Sequence, residues 1–178
     1  MGIIVDVLTV VDVDTIIQYY NEKGHPDIST NRNQPTKLGY ELAQNTIHMI
    51  AKFSSGLQHQ GTGNLYLPVD AGDVIRWRAT DISKNLGNAV ILDRFKILTS
   101  NPKGIISQPN LHPVHDNVSS LNPSNPDGPP IPQMITTNAW EATAEARGTV
   151  MYTWSFVIVD RHNKVIGCCE WDPTINID

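Results

Sequence analysis

Hydrophobic and polar positions alternate most clearly near the C-terminus, over Val150–Asp160. Tyr152, Trp154, Phe156 and Ile158 fall on one side, and Thr153 and Ser155 fall on the other. Alternation with period two, carried by aromatic and β-branched residues, is the signature of a strand. Arg161–Lys164 is a polar turn, and Val165–Pro173 supplies a second strand. A hairpin cannot cover so large an apolar face by itself, so the rest of the chain must supply a sheet to pack on it.

The same pattern recurs upstream. Residues 3–11 form a β-branched run broken once by Asp6, which predicts a central strand covered on both faces. Asp12 or Asp14 offers an N-cap for one or two helical turns over Thr15–Tyr20. Residues 24–39 carry Pro26, Asn31, Asn33 and Pro35 and predict a surface loop. Thr46–Phe53 alternates and predicts a strand, followed by a turn over 56–63. Asn64–Val69 is a short strand whose Pro68 places it at a sheet edge. After a tight turn at Asp70–Asp73, Val74–Thr80 points Ile75, Trp77 and Ala79 inward and Arg76 and Arg78 outward. Ala89–Leu98 is the next strand, with Ile91, Phe95 and Ile97 opposite Arg94 and Lys96.

Residues 100–136 break the pattern. Asn-Pro and Pro-Pro steps crowd Asn122–Pro130, and Pro109 and Pro113 precede them. That composition predicts a long loop of turn or polyproline character, the kind of segment that often carries function. Apolar residues from Ile105 to Ile135 punctuate it, so the loop is expected to lie against its own sandwich or a neighbouring subunit. Thr137–Ala146 predicts a strand carrying Trp140. The pattern implies an all-β, two-sheet antiparallel sandwich, jelly-roll-like, with one short N-terminal helix and one long Pro/Asn-rich loop. Closure into a barrel is the alternative. The 178 residues fit a single domain, 1–178.

Charge narrows the partners. A formal net charge of -5 disfavours sequence-independent nucleic-acid binding, which needs a basic face. The N-terminus lacks the basic stretch of a secretory signal, and no apolar run approaches the length that spans a bilayer, so a cytoplasmic protein is expected. Cys168 and Cys169 are adjacent in a strand and face opposite ways, predicting one buried and one exposed thiol and no bond between them.

Candidate chemistry is sparse. Gly61-Thr-Gly63 lacks the strand–turn–helix context of a phosphate loop and fits a plain turn. Asp6, Asp12 and Asp14, or the Asp70–Asp73 turn, could offer oxygens to a hard cation, but capping and turn roles are simpler. His112 and His115 could share a metal, although no third or fourth ligand is identifiable. Trp140, beside the long loop, is the tryptophan best placed to stack on a sugar, which makes Trp140, His112 and His115 the candidate ligand platform. No catalytic residue and no cofactor is expected.

Four blocks carry a resemblance: Val7–Thr15, Gly72–Arg78, Arg147–Tyr152 and Gly167–Ile175. In order and spacing the chain resembles the AidA/PixA family of bacterial inclusion body proteins over nearly its full length. The resemblance implies a non-catalytic, self-associating protein, produced in stationary-phase or quorum-regulated conditions, and it carries over no catalytic residues. It does not extend to sulfur storage, since only 4 residues are Met. A carbohydrate-binding sandwich is the alternative function.

Overall fold

The computed structural model describes residues 2–22, 24–52, 56–98 and 104–177. Phe53 and residues 100–103, on which parts of the expected strand and loop fall, lie outside them. The elements run β1 (Ile4–Val11), α1 (Val13–Asn21), β2 (Thr36–Lys37), α2 (Tyr40–Thr46), β3 (Ile47–Ala51), β4 (Tyr66–Val69) and β5 (Val74–Asp81). They continue with β6 (Ala89–Ile97), β7 (Asn110–Ser120), β8 (Ile131–Thr143), β9 (Gly148–Val159), β10 (Val165–Trp171) and β11 (Thr174–Ile177).

Two sheets face each other, as the alternation implied. One has the order β3-β1-β5-β8-β7. The other is built around β9, the aromatic strand: β10 and then β11 pair along one side of it, and β6 pairs with the other. β2 and β4 form the far edge of that sheet, so Pro68 sits in an edge strand as expected. The sheets are mixed, not wholly antiparallel. β1 pairs with β5, β2 with β10 and β4 with β11 in parallel. Parallel neighbours need a long crossover, and between β1 and β5 the intervening helices and strands supply it.

The core is aromatic. Trp77 from β5 packs edge-on against Trp154 from β9, with ring centroids 5.7 Å apart, and Phe95 stacks on Tyr152 at 5.0 Å. Ile75, Trp77, Trp154 and Phe156 are all fully or almost fully buried. The Trp77 indole N–H donates to the Tyr152 hydroxyl at 3.3 Å, so that polar tip is satisfied inside the core.

Several local expectations are corrected. β1 is covered on one face only: Val7, Thr9 and Val11 are buried, whereas Ile4 and Leu8 are exposed on the outer face. Residues 40–46 form a second helix, α2, whose N-cap is Gly39 with no side-chain hydrogen bond. In β6 the register shifts between Leu92 and Arg94, a bulge that turns Asp93 into the sheet. Val90 and Leu92 are therefore buried and Ile91 is exposed, the reverse of a regular alternation run back from Phe95.

Both cysteines are buried and free. Cys169 lies in the main core, and Cys168 lies on the opposite face with Val157 and Val159. The segment that covers Cys168 is the supposed surface loop. Cys168 N–H donates to Ser29 O at 2.6 Å, β2 adds to β10, and Arg32 forms an ion pair with the bulged Asp93.

The largest correction concerns 100–136. Residues 110–120 and 131–143 are strands, paired without a register break from Asn110↔Glu141 to Ser120↔Ile131. Among the described residues, 104–109 and the tip, 121–130, lie outside the strands and keep the character expected of the whole segment. The prolines did not prevent pairing because a strand with an unpaired edge tolerates them. Pro113 faces Asn138 and Pro132 faces Ser119, positions six steps apart in the register. Even separation puts both in the same class of pair, and a residue without an N–H fits the class that makes no hydrogen bond across the hairpin.

Candidate functional site

β8 pairs with β5 only from Thr143 to Trp140, at Val74 to Trp77. Beyond Trp140 the β7–β8 hairpin continues without β5 and projects as a two-stranded arm. Almost all of its residues are exposed or half-buried. The exposed ones include Leu111, Val118, Ile131, Met134 and Ile135, with Met134 77% accessible.

The arm is tied down near its base by charge. Arg78 of β5 donates to Asp116 of β7 at 2.7 Å, reaching across β8, and Thr137 of β8 donates to the other oxygen of Asp116 at 2.8 Å. Arg76 donates to Glu141 at 2.6 Å. Asp6 lies 3.8 Å from both arginines. Asp6 is therefore an ion-pair partner on the outer face of the five-stranded sheet. Asp12 caps α1, accepting from the Thr15 amide at 3.1 Å and from its hydroxyl at 2.8 Å. Asp73 accepts from Ile3 N–H and Asp70 N–H, which locks the tight turn onto β1. Gly72 takes φ +99 there, a conformation glycine adopts without strain. Gly61, at φ 80, likewise serves a turn.

The three residues of the candidate ligand platform are not brought together. His112 and His115 are three apart on one regular strand and so point to opposite faces. His112 pairs with Ala139 on the outer face, while His115 lies on Trp140's face with Nδ1 3.1 Å from the Thr136 hydroxyl. Among the described residues no group of three or more His, Cys, Asp and Glu side chains gathers to hold a metal ion.

Trp140 is half-buried. Its indole N–H donates to Leu92 O at 3.0 Å and its ring packs 5.6 Å from Trp154. With Trp77, Val90, Leu92, Leu111 and Asn138 it lines a groove of about 260 Å³ at the base of the arm, between β6 and the five-stranded sheet. The arm was the feature missed in the sequence. Its period-two signal is weak, because Asp116 separates Val114 from Val118 and Gln133 separates Ile131 from Ile135 on the same face.

The family model described as PixA, inclusion body protein, matches residues 3–177. The chain belongs to the PixA inclusion body protein family. The fold agrees with a solved relative, the crystal structure of an inclusion body protein (PixA) from Burkholderia cenocepacia J2315. That structure superposes with a TM-score of 0.78 at 19% identity, covering 99% of this chain and 97% of the other. A search of the curated proteins returns no match. Gly72 shapes the turn into β5, and Gly167 sits where an added Cβ would come within 2.7 Å of Ile28.

Proposed function

We propose that this chain is a non-catalytic protein that accumulates in the cytoplasm by self-association, under the stationary-phase or quorum-regulated conditions its family resemblance implies. The observation that carries this reading is the β7–β8 arm. A two-stranded hairpin exposed on both faces is marginal in water. This one nevertheless displays Leu111, Val118, Ile131, Met134 and Ile135 to solvent. An extended element with that much exposed apolar surface gains stability when something covers it. The family's description, inclusion body protein, fits a second copy as the cover. The test is sedimentation velocity over a dilution series. A species heavier than the 19.7 kDa chain that dissociates on dilution supports the reading. A monomer throughout contradicts it.

The groove beside Trp140 favours a second reading, a small carbohydrate ligand held against that indole and Asn138. Tryptophan fluorescence titrated with mono- and disaccharides checks it. No change with any sugar removes it.

A further inference from the structure

The edges and faces of the arm differ in what they can bind. If Pro113 and Pro132 sit at the pairs that make no hydrogen bond across the hairpin, their missing donors fall on the two outward edges. Each edge then lacks one N–H where an added strand would need it, a common means of blunting an edge. The faces carry no such block. On the outer face the paired residues are Val114↔Thr137, Asp116↔Ile135, Val118↔Gln133 and Ser120↔Ile131. Each pair contributes one apolar side chain, and these lie on successive diagonals, close enough for neighbouring side chains to touch. Val114, Ile135, Val118 and Ile131 thus form one stripe along the ribbon.

We propose that this stripe is a two-fold contact with the same stripe of a second copy, made face to face and not by joining strand edges. The inference rests on the self-association reading and specifies its geometry. Charge supports an identical partner. Asp116 is the single ionic group among the eight paired residues, and Arg78 already holds it at 2.7 Å. Two such faces therefore meet without unpaired like charges. A stripe of uniform chemistry is also self-complementary under a two-fold axis, where the same patch serves both subunits.

The test uses the full chain with Val118→Lys, Ile135→Lys and, on the other face of the arm, Met134→Lys. Sedimentation equilibrium should show either of the first two weakening association by more than about 100-fold, because each change enters a two-fold contact twice. Met134→Lys should leave association near that of the unmodified chain. A Val118→Cys variant should cross-link to its own copy with a short bismaleimide, since Cys168 and Cys169 are buried and protected. Association unchanged by Val118→Lys and Ile135→Lys, or lost with Met134→Lys alone, overturns the proposed face and leaves self-association standing. A monomeric unmodified chain overturns both.

Discussion

Arg78 and Asp116 sit on strands separated by β8, yet their side chains meet at 2.7 Å. The contact lies one residue beyond Trp77↔Trp140, where the backbone pairing of β5 with β8 ends. Side chains take over from the backbone ladder at that point and hold the arm at its angle. The pair is about one-third exposed on each side, so its contribution to global stability is modest.

Asp116→Ala should therefore loosen the arm more than it destabilises the protein. The expected loss of global stability is under about 1 kcal/mol. Amide hydrogen exchange should speed up over 112–120 and 131–138 while the core strands keep their protection. Equal loss of protection in β9 and in the arm would show that the pair does not act locally.

Trp154 is fully buried and its ring touches Trp77, Phe95 and Trp140. Trp154→Ala should cost about 3–5 kcal/mol in chemical denaturation. A loss below about 1 kcal/mol would place the residue outside the core.

Burial also shapes the response to alkali. Desolvation, with a smaller effect from Cys168, pushes the Cys169 thiol up to about 12 from an ordinary 9.0, and burial raises Tyr152 well above the usual phenol range. A raised acid holds its proton more tightly in the folded state than in the unfolded one. The stabilising contribution is thus fully present below about pH 9 and is lost as pH climbs toward about 12. Equilibrium unfolding should show stability falling through that window, and a Cys169→Ala variant should show a shallower fall. Ellman's reagent at pH 8 should label neither thiol until denaturant is added. Rapid labelling of the native chain would contradict the burial of both.

How much of this was legible in the sequence depended on what neighbours did to each strand. The β9–β10 hairpin could be read because its alternation is strict and its inward residues are large. The outward side of β9 looked exposed by the same logic, yet Thr153 and Ser155 are buried, and beside them Cys168 lies beneath the segment tied down by Ser29 and Arg32. That cover depends on a long-range ion pair to Asp93, which no local pattern reveals. α2 was missed because Gly39 offers no capping side chain and its polar sequence has weak periodicity. The inward face of β6 was inverted by one bulge residue. The arm was hidden because Pro113 and Pro132 look like strand breakers, and whether an edge proline is tolerated depends on the register. The candidate platform is split for a related reason: once 110–120 is a strand, two histidines three apart cannot share a face.

The most direct test of the account compares the intact chain with one whose arm is shortened, 115–136 replaced by a two-residue Asn-Gly turn that joins the paired Val114 and Thr137, by sedimentation velocity at matched concentrations. If the arm carries self-association, the intact chain sediments as an oligomer and the shortened chain as a monomer with an unchanged near-ultraviolet circular dichroism spectrum. The same oligomer from both would contradict the arm as the contact, and a monomer from both would contradict self-association itself.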